Sequence, residues 1–178
     1  MSSPVMLFAG RMIPYKNPLF VVEMLAKLAS RIPDLHAVFA GVGSEEQTVR
    51  ERARALGVQD RVRILGWRSD LPDLMLASDL LIWPGQEDPK EGLGLGIVEA
   101  QAAGLPIIMS LSVPDDAVVI PELVSVLPLA RGVDELADEA DRIISSARMT
   151  RSEALARVED SPFSLRAGTE NIMRLYQL

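Results

Sequence analysis

Apolar runs of strand length recur along this chain, each followed by a stretch with helical spacing. That alternation restricts the fold more than any other feature. The runs are VMLFAG at 5–10, LHAVFAG at 35–41, RVRILG at 61–66, DLLIWPG at 79–85 and LPIIMS at 105–110, with ELVSVLPL at 122–129 offering a short sixth. Asn17-Pro18 opens a helix that reaches about Ser30, with Val21, Val22, Leu25 and Leu28 on its apolar side. Asparagine suits the cap there and proline the first helical position. Ser44-Glu45-Glu46-Gln47 has capping-box spacing, and Gly57 supplies a stop. Residues 70–78 read as a short helix or turn, 94–103 as a helix ended by Gly104, and 133–147, 150–159 and 164–177 as further helices. Buried strands alternating with helices imply an α/β domain: a mostly parallel sheet of about six strands covered on both faces, doubly wound and Rossmann-like. Residues 1–178 form one such domain, with about 164–178 as a C-terminal helix. Ligands in such sheets bind beyond the carboxyl ends of the strands. That rule selects 10–18, 41–45, 66–70, 84–95 and 110–116.

Composition removes several chemistries. There is no cysteine, so no disulfide framework, thiolate metal site or cysteine nucleophile is expected. The single histidine, His36, lies inside an apolar run, which disfavours a Ser-His-Asp triad and a histidine-rich metal site. A net charge of −7 argues against broad nucleic-acid binding, which needs a basic field. The apolar runs fall short of the roughly 18 residues of a membrane span. The first ten residues lack the pattern of a secretory leader. A cytoplasmic location is expected. Abundant alanine and arginine with little lysine suggest a bacterial source.

The stretch EGLGLGIVE at 91–99 carries the chemistry. The strand at 79–83 delivers the chain to the carboxyl edge, and a glycine at every second position then leads into a helix. Amides at a helix amino end have no intrahelical partner and favour an anion, while glycine admits a ligand close to the backbone. Glu91 precedes that terminus, and Glu99 stands about a turn and a half inside it. A ligand with a phosphate flanked by hydroxyl-bearing groups, as in a sugar nucleotide, would use all three features. Taken alone, the spacing also fits a solvated loop acid at Glu91 and an exposed helix residue at Glu99. In AGRMIPYKNP (9–18), Arg11 and Lys16 follow the first strand, at the same edge of the sheet. A guanidinium fork and an ammonium point charge both suit phosphate, although each cation read alone also fits an ordinary surface.

These motifs together resemble the C-terminal half of retaining glycosyltransferases of the GT-B fold, the large family four of glycosyltransferases (group 1). Gly10-Arg11 with Lys16-Asn17, FAGVGSEE, VRILGW, ASDLLIWPG, EGLGLGIVE and AQAAGLPII stand in the family's order and spacing. The resemblance is close over about residues 5–110 and looser over 130–178. It implies that Arg11 and Lys16 bind the donor diphosphate and stabilise its charge as it leaves. Glu91 would contact hydroxyls of the transferred sugar, and Glu99 those of the ribose. Gly10, Gly92, Leu93, Gly94 and Leu95 would offer backbone contacts, and Trp67 with Arg68 would lie by the base. A core-edge position is an equally good reading of Trp67.

The implied function is transfer of a hexose-type sugar from a UDP-, GDP- or ADP-sugar, with retention of configuration, no metal and no separate cofactor. Glu91, Arg11 and Lys16 would be the catalytic groups. The family places its active site between two Rossmann-like domains, so the partners implied are the donor and an N-terminal domain in cis or in trans. Peripheral membrane association would come only through that other half, and an exposed interdomain face would favour weak homodimers. By itself the chain is expected to bind nucleotide without transferring sugar. The alternatives are a non-catalytic nucleotide-binding module or subunit, and another Rossmann-type enzyme such as an epimerase or oxidoreductase. The loop SLSVPDDAVVIPE at 110–122 departs from the family's glycine-rich turn, and Pro84-Gly85 stands where Pro-Ser is usual.

Overall fold

The computed structural model describes residues 3–147 and 149–176. Its sheet is built from β1 (Val5–Ala9), β2 (His36–Ala40), β3 (Val62–Gly66), β4 (Leu80–Trp83), β5 (Ile107–Met109) and β6 (Val124–Val126). The helices are α1 (Pro18–Leu28), α2 (Glu46–Ala55), α3 (Leu71–Ala77), α4 (Leu95–Ala102), α5 (Gly132–Ile144), α6 (Arg151–Glu159) and α7 (Leu165–Tyr176). The six strands are parallel in the order β3-β2-β1-β4-β5-β6. Chain direction across the sheet reverses between β1 and β4, and that switch point opens a crevice at the carboxyl ends of those two strands.

The strands read as continuous apolar runs because both faces are covered. Along β1 and β4, successive side chains enter opposite cores. Met6, Phe8, Leu80 and Ile82 face one core, packed by α1, α2 and α5. Leu7, Ala9, Leu81 and Trp83 face the other, with Ile97 and Ala100 of α4 and Met75 of α3. Gln101 of α4 is fully buried and ties the helix to the segment after β5. Its amide donates to the Ala117 carbonyl, and its carbonyl accepts from the Val119 and Ile120 amides.

Two cap assignments are corrected. Asn17 adopts left-handed geometry (φ 51°) and makes no side-chain cap; its amide instead closes the 3-10 turn Pro14–Lys16 on the Pro14 carbonyl. Ser44 forms no capping box, because α2 is entered at Glu45, whose amide bonds the Met12 carbonyl. The loops after β1 and β2 are fastened together by backbone. A β-carbon at Gly41 would lie 1.8 Å from the Gly10 carbonyl oxygen, so only glycine fits there. α7 buries none of its residues: Leu165 is 88 % exposed and Leu175 81 %. Residues 177 and 178, the end of the expected C-terminal helix, lie outside the described residues.

Candidate functional site

Lys16 and Glu91, far apart in sequence, meet at the switch point. Lys16 Nζ lies 2.6 Å from Glu91 Oε1, and the two side chains are only 16 % and 9 % exposed. Lys16 arrives on the 3-10 turn that follows β1, and Glu91 on the segment between β4 and α4. The indole N–H of Trp83 donates to the same Glu91 oxygen at 2.9 Å, and Lys16 Nζ stands 4.8 Å from the centre of the Trp83 ring.

The segment carrying Glu91 is pinned from several sides. Its own amide donates to the Ser112 carbonyl at 2.7 Å. The Gln86 amide donates to the Tyr15 carbonyl, and the Tyr15 hydroxyl to the Pro89 carbonyl. Glu87 accepts from the Leu129 amide. Burial, followed by the negative charge of Glu91, pushes the Tyr15 phenol above its ordinary value. In the 110–116 loop, the Ser110 hydroxyl donates to the Gly85 carbonyl at 2.6 Å and shares a second hydrogen bond with the Ser112 hydroxyl at 2.9 Å. The Ser112 carbonyl thus holds the Glu91 backbone, while the two hydroxyls hold Gly85.

α4 starts at Gly94, which adopts φ 71° against Val113; a β-carbon would stand 3.1 Å from Val113 Cγ1. The amides of Leu95 and Gly96 in the first turn have no intrahelical acceptor and face the anion preference of a helix amino end. Arg11 is exposed beside Gly10 and has no ion-pair partner among the described residues. Gly92 and Leu95 are exposed on the run, and Leu93 and Gly94 are half-buried.

The other expected residues are placed differently. Glu99 does not join Glu91: it is exposed and lines a shallow hollow of about 210 Å³ with Pro72, Leu76, Arg151 and Leu155, between α3, α4 and α6. Trp67 is 75 % exposed, which excludes the core-edge reading. Arg68 is engaged by Asp70 through two bonds of 2.7 and 2.5 Å. That contact raises the Arg68 pKa and lowers that of Asp70. His36 opens β2 at the opposite edge, with Nδ1 against the Asp34 carbonyl. Among the described residues no group of three His, Cys, Asp or Glu side chains could hold a metal, and no helix is long and apolar enough to cross a membrane.

Trp83, Tyr15 and Ser112 were not singled out from the sequence. A signal existed for Trp83, since it is a bulky aromatic at the carboxyl end of a strand, directly before Pro84-Gly85. No local signal marks Tyr15 or Ser112, whose contacts are made across loops.

The family model of glycosyl transferases group 1 matches residues 1–156. The chain belongs to this family. An Escherichia coli UDP-Gal:alpha-D-GlcNAc-diphosphoundecaprenol alpha-1,3-galactosyltransferase is 35 % identical over 112 residues, covering 61 % of this chain and 28 % of the relative. A Bacillus subtilis putative glycosyltransferase, EpsF, is 31 % identical over 136 residues, covering 76 % and 35 %. The crystal structure of Anabaena HepE in complex with UDP superposes with a TM-score of 0.82 at 24 % identity, over 98 % of this chain and 49 % of that one. The C-terminal domain of a Francisella tularensis group 1 glycosyl transferase, LpcC, superposes with a TM-score of 0.74 at 18 % identity, over 92 % and 88 %. The chain thus spans about a third of these curated relatives and has the Rossmann-like fold of one half of a GT-B glycosyltransferase.

Proposed function

We propose that this chain is the nucleotide-sugar donor-binding half of a retaining, family-four-type glycosyltransferase, which moves a hexose-type sugar from a nucleoside diphosphate to an acceptor. The observation that carries this reading is the meeting of Lys16 and Glu91 at the switch point, between the loop after β1 that also carries Arg11 and the segment leading into α4. UDP in the HepE complex belongs to that protein; it supports the reading through the shared fold.

Chemistry follows from charge. Transfer breaks the bond between the anomeric carbon and a phosphate oxygen, and the bonding electrons leave with the phosphate. Arg11 and the free amides of Leu95 and Gly96 oppose that developing charge as they stand, and Lys16 joins them by passing from Glu91 to the phosphate. These cations and dipoles do the work a metal would otherwise do. The acceptor hydroxyl oxygen bonds to the anomeric carbon on the same face, and its proton passes to the departing phosphate oxygen. Glu91 serves as a positioning group for sugar hydroxyls. Its Oε1 is already engaged by Lys16 and Trp83, which lowers its nucleophilicity and favours this route over a covalent intermediate. By the family resemblance Glu99 and Trp67 would contact the ribose and base, which requires the donor to reach beyond the Lys16–Glu91 pair to the hollow that Glu99 lines.

A second Rossmann-like half, in cis or in trans, would supply the acceptor pocket, so the 178-residue chain alone would not turn over.

The test is thermal unfolding of the chain with UDP, GDP, ADP and their sugar conjugates. At a hundredfold over Kd a ligand adds about 2.7 kcal/mol. For a domain of this size that is roughly 5–11 °C. Stabilisation by one nucleotide, lost in Arg11→Ala and Glu99→Ala, is expected. Stabilisation that survives both substitutions would place the site elsewhere.

A further inference from the structure

We infer that Trp83 is a positioning residue of this crevice: its indole N–H and ring face hold Glu91 and Lys16 where they meet the donor. The inference rests on the donor-binding reading above and deepens it.

Trp83 ends β4 and is 8 % exposed, packed among Ala9, Met109, Ile97 and Val113. It touches both charged groups at their junction, bonding Glu91 Oε1 at 2.9 Å and standing 4.8 Å from Lys16 Nζ. Indole nitrogen can only donate, so it fixes a carboxylate and never competes with it for Lys16. With Oε1 taken by Trp83 and Lys16, no described residue bonds Oε2, which is left as the acceptor for a ligand hydroxyl. The ring face attracts the ammonium without neutralising it. Of the two partners of Lys16, Trp83 thus steers it without neutralising it, while Glu91 is the one it leaves to meet a phosphate.

The far side of the ring meets α4. A β-carbon at Gly96 would lie 2.9 and 3.0 Å from ring atoms Cζ3 and Cη2. Glycine at this second helical position makes room for the indole. The rigid ring is thus wedged between the Lys16–Glu91 pair and the helix amino end. One side chain sets the cation, the acid and the amides in register.

Two measurements test this. The chain has two tryptophans, so its proton–nitrogen correlation spectrum carries two indole signals, and the one that persists in Trp67→Phe belongs to Trp83. That signal is expected to exchange slowly and to move in Glu91→Gln. An unmoved signal overturns the inference, whether or not nucleotide binds. The second measurement is calorimetric titration with UDP-, GDP- and ADP-glucose. Trp83→Phe keeps a ring beneath Lys16 but removes the donor, and is expected to weaken the bound donor about tenfold. In a Glu91→Ala background, which leaves the indole no acceptor at this position, the same substitution should change affinity less than about twofold. An equal loss in both backgrounds would reduce Trp83 to general packing and overturn the inference. A wild-type chain that binds none of the three ligands would count against the donor-binding reading, and the indole signal alone would then decide the role of Trp83.

Discussion

Removing the charge of Lys16 is the perturbation whose consequence can be worked furthest. In Lys16→Met the side chain keeps its approximate length and loses the ammonium. Glu91, 9 % exposed, then retains only the Trp83 N–H. Breaking a buried pair from one side costs 3–5 kcal/mol, because the remaining charge is uncompensated. Lys16 is still 16 % exposed and Glu91 keeps one donor, so the lower end applies, about 3 kcal/mol. For a chain of this length that lowers the unfolding temperature by roughly 6–12 °C. Urea denaturation should show a lower midpoint with an unchanged slope. The double variant Lys16→Met/Glu91→Gln removes both charges and keeps an acceptor for the indole. It should recover about 2 kcal/mol of the summed single losses, since a neutral replacement of a buried pair is often nearly neutral in stability. An additive cycle, with coupling below about 0.5 kcal/mol, would refute the reasoning. The pair would then behave as a solvent-screened surface contact, and the notion of a preformed cation handed from Glu91 to a phosphate would fall with it.

Other substitutions carry sharp expectations. Gly96→Ala, normally a gain in a helix, should destabilise by about 1–2 kcal/mol through the clash with Trp83. Urea melts should show much of that cost vanishing in the Trp83→Leu background. Arg11→Ala removes an exposed cation with no ion-pair partner among the described residues, so stability should change by less than about 0.5 kcal/mol while nucleotide affinity falls. A stability loss comparable to that of Lys16→Met would contradict this. Glu139 has its pKa lowered chiefly by its bond to Arg142, and also by Ser125 across to β6. A lowered carboxylate contributes stability above its ordinary 4.5 that is lost as pH falls toward the folded value. Unfolding free energy measured against pH should therefore drop below about 4.5, with a shallower slope in Glu139→Gln.

Much of the fold was legible because a parallel sheet covered on both faces leaves a plain trace. β1, β2 and β4 are almost wholly apolar, and each described strand lies within a run read from the sequence. The edge position of Arg11, Lys16 and Glu91 was legible for a related reason: strand ends place loops at one edge whatever the loops contain. Their mutual arrangement was not. Lys16 and Glu91 were read as separate ligand contacts, whereas they are bonded to each other beneath Trp83. That pairing depends on where two loops fold back, which no local periodicity encodes. The caps at Asn17 and Ser44 failed because backbone contacts took over the helix entries: a local 3-10 turn onto Pro14 at Asn17, and a tertiary bond from Glu45 to Met12 beside Ser44. Glu99 illustrates the limit of spacing: eight positions from Glu91 along a loop and a helix, it lines a hollow with α3 and α6 while Glu91 meets Lys16 and Trp83.

The most direct measurement is a map of backbone amide shifts when UDP-, GDP- or ADP-glucose is added to the chain. A cavity of about 330 Å³ lies elsewhere, beside the amino ends of β5 and β6, lined by Pro106, Leu123, Arg142 and Glu153. Shifts concentrated at Gly10, Arg11, Lys16 and Gly92–Gly96, with smaller ones at Trp67 and Glu99, are expected. Shifts confined to the residues of that opposite cavity would contradict a donor site at the switch point.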